Sequence, residues 1–223
     1  MIVFVGDTHG DFGWFPKIMK DVPEDATVIQ LGDFGFWPGY VKEAWHKAWK
    51  KLGRPNPIYA IDGNHEYFPI LADITEPTEI WKGVIYVPRG TVLELDHAEG
   101  MKRVGFMGGA SSIDYKYRTL GIDWFLEEGI STGDMMRMND VDSVDILVTH
   151  TPPNSVIQKN FDRRTLLDFG LSPSWTDPSA VAIDELWDKL GNPPLICGHM
   201  HKSVVDGNCR MLDINEVWLY RPW

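Results

Sequence analysis

Two cysteines in 223 residues, Cys197 and Cys209, leave no material for a disulfide framework, and their spacing is not that of a CxxC zinc pair. Cys197 lies inside an apolar run and reads as a small buried residue. Positive charge is scarce as well: 21 Lys and Arg stand against 32 Asp and Glu, a formal net charge of -11. That shortage opposes the basic stripe with which a protein grips a long nucleic-acid backbone. It leaves room for a small phosphate ester, because bound cations reverse the local field. No apolar run approaches the length of a membrane span. The start, Met1 to Val5, has neither the basic flank nor the apolar length of a signal peptide. Internal repeats and low-complexity tracts are absent too. These absences together set the expectation of a cytoplasmic protein in a reducing compartment, with no membrane and no long nucleic acid as partner. Oligomeric state stays open, and Trp218, Leu219 and Trp223 near the end read equally as core or interface.

What is present is bulk for a core: 43% hydrophobic residues, 12% aromatic, and ten Trp. The length fits one domain over residues 1–223. Strand-like and helix-like stretches alternate. Phe15 to Lys20 reads as a short helix. Tyr40 to Leu52 reads as an amphipathic one, with Val41, Ala44, Trp45, Ala48, Trp49 and Leu52 on one stripe and lysines opposite. Val84 to Val87, Thr91 to Leu95 and Arg103 to Met107 read as strands, Leu120 to Glu128 and Ala180 to Leu190 as helices. Residues Thr151 to Ser179, punctuated by Pro152, Pro153, Pro173 and Pro178, read as a long irregular stretch, the kind that often belongs to a site. The acidic stretch Asp123 to Asp145 reads as a solvated surface segment or a flap. Strands Arg210 to Ile214 and Glu216 to Tyr220, separated by Asn215, read as a hairpin.

Five short polar segments carry the chemistry. They are Asp7-Thr8-His9, Gly32-Asp33, Gly63-Asn64-His65-Glu66, Thr149-His150-Thr151 and Gly198-His199-Met200-His201, and they hold five of the seven histidines. Each follows a short β-rich run: Ile2 to Val5, Val28 to Leu31, Ile58 to Ile61, Ile146 to Val148, Leu195 to Cys197. Such runs read as buried strands delivering side chains to one sheet edge, where open α/β sheets bind ligands. Singly each segment has an ordinary structural reading, an Asp cap or an Asn turn among them. Jointly they assemble imidazole, carboxylate and amide donors suited to a divalent metal.

The set Asp7-x-His9, Gly32-Asp33, Gly63-Asn64-His65-Glu66, His150 and Gly198-His199-x-His201 resembles the calcineurin-like metallophosphoesterase superfamily. Gly108-Gly109-Ala110 and the stretch Tyr115 to Arg118 also look like those of its small bacterial and phage members. The resemblance implies an α/β fold, a four-layered α-β-β-α sandwich with two central mixed sheets and a dinuclear metal site at the C-terminal ends of the strands. It implies that Asp7, His9, Asp33 and His201 hold one divalent ion and that Asp33, Asn64, His150 and His199 hold the other. Manganese is the first expectation for these ions, with iron, zinc, nickel and cobalt as alternatives. Asp33 would bridge, and His65 would stand near the substrate as a non-ligand. Two cations about 3.5–4 Å apart lower the pKa of a shared water enough to supply hydroxide. His65 would protonate the leaving oxygen.

In the protein-phosphatase branch the second segment reads Gly-Asp-x-x-Asp-Arg-Gly. Here Phe36 replaces the second Asp and Trp37 replaces the Arg. A dianionic monoester loses its bidentate fork by that change, and a monoanionic diester loses less. The expected function is therefore a phosphodiesterase acting on small nucleotide or cyclic-nucleotide diesters. Alternatives are a phosphomonoesterase for nucleotides or phosphoproteins, a catalytically silent scaffold of the same fold, and a nuclease. Candidate substrate contacts are Asn64, His65, Tyr115, Tyr117 and Arg118, with Phe36 and Trp37 either stacking on a base or filling the core.

Overall fold

The computed structural model describes residues 1–220, so Trp223 lies outside the described residues. Alternation along the first strand sets the layering. In β1 (Ile2–Val5) all four residues are buried, which requires cover on both faces of the sheet. Val3 and Val5 face one core, with Phe15, Trp45 and Ala48 of the helices α1 (Phe15–Ile18) and α2 (Tyr40–Leu52). Ile2 and Phe4 face a second core shared with Ile29, Phe106, Ile146 and Val148.

The first sheet also contains β2 (Thr27–Gln30), β3 (Ile58–Ala60), β4 (Thr78–Trp81) and β5 (Val84–Tyr86). The second is built from β6 (Thr91–His97) and β7 (Gly100–Met107), then, beyond α3 (Thr132–Arg137), from β8 (Ile146–Thr149). After α4 (Asn154–Asn160) and α5 (Pro178–Lys189) it is completed by β9 (Leu195–Cys197), β10 (Val204–Asp206) and β11 (Cys209–Met211). The last strand, β12 (Val217–Leu219), returns to the first sheet. The orders are β12-β1-β2-β3-β5-β4 and β10-β11-β9-β8-β7-β6. Both sheets are mixed: β1, β2, β3 and β5 run parallel, as do β7, β8, β9 and β11. A third core under α5 joins Ile183 and Leu186 to Leu147, Leu195 and Met211. The result is the expected α/β sandwich of helices, sheet, sheet and helices. Among the described residues no helix is long and apolar enough to cross a membrane.

Several elements differ from expectation. The predicted hairpin at Asn215 does not form. β11 runs parallel to β9 in the second sheet, whereas β12 pairs antiparallel with β1 in the first. The chain crosses between sheets there because Leu212 is drawn into the inter-sheet core, and Asn215 donates its N–H to the Asp7 carbonyl at 2.9 Å. Leu120 to Glu128 is not a helix. Gly121 takes a φ of 77°, the Asp123 carboxylate accepts the Thr119 N–H, and only Leu126–Glu128 forms a 3-10 turn. With Leu120, Ile122 and Leu126 exposed, no apolar stripe holds a helix to the core. The stretch from Thr151 to Ser179 is partly helical, containing α4 and a 3-10 segment at Arg163–Phe169. The acidic stretch is not uniformly solvated, since Phe125, Glu128, Met138 and Val144 are buried within it.

Candidate metal centre

The loops after β1, β2, β3, β8 and β9 converge, and their donor atoms form two groups. Asp7, His9, Asp33 and His201 each present one ligand atom within 4.8 Å of the others; Asp33, His150 and His199 do the same. Asp33 belongs to both. Its Oδ2 lies 3.7 Å from His9 Nε2 and 3.5 Å from His150 Nε2. In the first group His201 Nε2 stands 2.9 Å from His9 Nε2 and 3.2 Å from Asp7 Oδ2. In the second, Asn64 Oδ1 stands 3.2 Å from His150 Nε2.

The backbone is bent to achieve this. His9, Asp33, His199 and His201 all have positive φ, between 47° and 68°. Outside glycine that conformation costs energy and persists where the surroundings impose it, often at functional sites. Two glycines make the room. A Cβ at Gly63 would strike the Asp33 carboxylate, and one at Gly198 would strike the Asp7 carboxylate.

Hydrogen bonds aim the donors. His150 Nδ1 is 2.7 Å from the Leu31 carbonyl, which can only accept, so Nδ1 carries a proton and Nε2 is the nitrogen turned toward Asp33 and Asn64. Asp33 Oδ1 accepts the His65 N–H at 2.8 Å. Asp7 accepts the His199 N–H with both oxygens at 3.1 Å. Asn64 Nδ2 donates to Ser112 Oγ at 2.9 Å, which turns its Oδ1 toward His150. Ser112 in turn donates to the buried Glu128 carboxylate, and Arg118 binds both, at 2.6 Å to Ser112 and 2.9 Å to Glu128.

Burial opposes ionisation of Asp33, but the facing His150, His65 and His9 outweigh it and hold the carboxyl well below the usual range. Burial likewise opposes protonation of His150, yet Asp33, Asp7 and the Leu31 carbonyl raise it to about 10. His199 is pushed well down, first by burial and then by His150, so it is a neutral imidazole. His65 is lowered by burial, against the pull of Asp33. Converging N and O donors of this kind fit divalent ions. Bound there, the first ion would sit among Asp7, His9, Asp33 and His201, the second among Asp33, Asn64, His150 and His199.

The expected substrate contacts divide. Asn64 and His65 line the cleft beside the centre; Phe36, Trp37, Tyr115 and Arg118 do not. Phe36 is fully buried against Phe34, Trp81 and Tyr86, so of its two readings the core one holds. Half-buried Trp37 donates its Nε1–H to the His65 carbonyl at 2.9 Å and packs on Tyr67. Arg118 is committed to Ser112 and Glu128, Tyr115 packs on Trp124, and Tyr117 is exposed.

Sequence reading passed over Ser112 and Glu128, which hold Asn64, and the role of Glu66. The Glu66 carboxylate accepts the N–H groups of Phe34, Gly35 and Phe36 and so fixes the loop that carries Asp33. Ser-Ser and Glu-Glu pairs carry no motif; only the adjacency of Glu66 to Asn64-His65 was a signal.

A search of the curated proteins finds no match to this chain. The family model described as calcineurin-like phosphoesterase matches residues 1–203.

Proposed function

Because the chain belongs to the calcineurin-like phosphoesterase family, we propose that it hydrolyses phosphodiesters of small nucleotide or cyclic-nucleotide type in the cytoplasm, using two divalent ions, manganese first among them. Metal-dependent hydrolysis is the activity typical of this fold. One observation carries the reading: a single buried carboxylate oxygen, Asp33 Oδ2, stands 3.7 Å from a histidine of one donor group and 3.5 Å from a histidine of the other. Bound ions supply Lewis acidity and a hydroxide near neutral pH.

The residues divide the remaining work. Asp33 holds its negative charge across the neutral range between the two groups. Asn64 offers an amide oxygen without adding charge, which spares an anionic substrate further repulsion. His65 lines the cleft beside Asp33, which supports reading it as the donor of a proton to the departing oxygen. Its lowered pKa suits leaving groups that need little help. The preference for diesters rests on the fate of the cations. Trp37 stands where a phosphatase arginine would, and Arg118 is tied to Glu128. Neither residue then offers a dianion a bidentate fork beside Asn64 and His65.

The test is turnover of bis-p-nitrophenyl phosphate against p-nitrophenyl phosphate on the manganese-loaded protein. The diester should be the better substrate by kcat/KM. A preference for the monoester would favour a phosphomonoesterase, and no turnover with any divalent ion would favour a silent scaffold. His65→Ala should keep its metal and slow poor leaving groups most; lost metal would make His65 a ligand.

A further inference from the structure

A cleft of about 370 Å³ adjoins the candidate metal centre, within the range of about 300–1,000 Å³ usual for small-molecule sites. Asp33, Asn64, His65, His199 and His201 contribute to its lining, so an ester held at the metal centre borders the rest of it. The rest is largely apolar: Ile157, Phe161, Leu166, Phe169, Trp175 and Met200. Three of these are aromatic, and aromatic walls favour flat rings over chains of equal size.

The carboxylates of this part of the lining are already engaged. Asp114 pairs with Arg118, Asp162 with Arg164, and Asp177 accepts the Ser179 and Ser111 N–H groups. Arg163, the one Lys or Arg among the lining residues, donates to the Trp175 carbonyl, while its buried Nε keeps no partner. An uncharged ring would lose water on both sides and gain contact.

Resting on the phosphoesterase reading, we infer that this cleft receives the organic group of the ester and selects a flat aromatic one, an aryl ring or a nucleobase. The site thus discriminates by what is attached to phosphorus.

Methyl-, butyl- and phenylphosphonate, whose carbon–phosphorus bonds resist hydrolysis, test this by calorimetric titration of the manganese-loaded protein. Phenylphosphonate should bind about tenfold more tightly than methylphosphonate, the order of effect expected for burying one ring. It should also bind more tightly than butylphosphonate. Trp175→Ala, which removes an aromatic wall, and Ile157→Trp, which narrows the cleft, should each bring the phenyl-to-methyl ratio toward one. Equal affinities for the three ligands, absence of binding, or an unchanged ratio in both variants would overturn the inference. A butyl group bound as well as phenyl would overturn its aromatic part. Turnover of bis-p-nitrophenyl phosphate in the same preparation separates the two readings. Turnover with a flat phosphonate series defeats the cleft alone; absent turnover defeats the phosphoesterase reading, while the affinity ratio still judges the cleft.

Discussion

Asn64 shows how much of a candidate metal site lies behind its donor atoms. An amide can turn either end to an ion, and here Ser112, held by Glu128 and Arg118, accepts from the nitrogen and leaves the oxygen facing His150. Ser112→Ala removes that acceptor. It should weaken binding of one of two manganese ions by about 10–100-fold, as loss of a supporting partner does elsewhere, and leave the other unchanged. Calorimetric titration reads both steps; two unchanged affinities would contradict the role. Glu128 carries a pH signature of its own. Burial raises its carboxyl to about 7 from an ordinary 4.5, against the pull of Ser112 and Arg118. Between those values the folded chain keeps a proton that the unfolded chain has lost. Stability from this group is full below pH 4.5 and is lost as pH rises to about 7. In chelator-treated protein, the thermal midpoint of Glu128→Gln should therefore fall less steeply than that of the wild type over this range. Parallel curves would contradict the assignment.

Elements were legible in proportion to how local their signal is. The strands β1, β2, β3, β8 and β9 could be read because each is a short apolar run that ends in polar ligands. α2 spans Tyr40–Leu52 as its stripe predicts, closed by Gly53 in the left-handed conformation. β4 escaped notice because, as an edge strand, it buries only Trp81 fully; β10 is an edge strand too and buries no residue fully. α4 is under two turns long, too short for a 3.6-residue period to show. Phe36 was ambiguous because a loop aromatic reads the same whether it faces a cleft or a core. Its burial decides, and it yields a prediction. Phe36→Ala should cost about 3–5 kcal/mol of stability, measured by urea unfolding, as truncation of a fully buried phenylalanine does. A stable variant with only a raised KM would return Phe36 to the substrate.

At the scale of the molecule, the crossing between sheets is what the chain order could not reveal. β11 and β12 are close in sequence but belong to different sheets, and the segment between them passes the candidate metal centre, where Asn215 donates its N–H to the Asp7 carbonyl. That link depends on the inter-sheet core, a property of the whole packing. The candidate ligands could be found because their residue types are unusual and recurrent, whereas the cleft walls come from ordinary apolar residues of the 151–179 stretch. Asp7 and Asp33 stand within one site, so a cation bound there would gain from carboxylate charge. Manganese at about 100 times its dissociation constant should then add on the order of 2.7 kcal/mol per site to stability. The thermal midpoint should rise accordingly in the wild type and less in Asp33→Asn; equal rises would remove Asp33 from the site. The most direct measurement is anomalous diffraction at the manganese edge from crystals grown with that ion. Two peaks flanking the Asp33 carboxylate, one toward His9 and His201 and the other toward His150 and His199, are the predicted result. A single peak, or none beside Asp33, would contradict it.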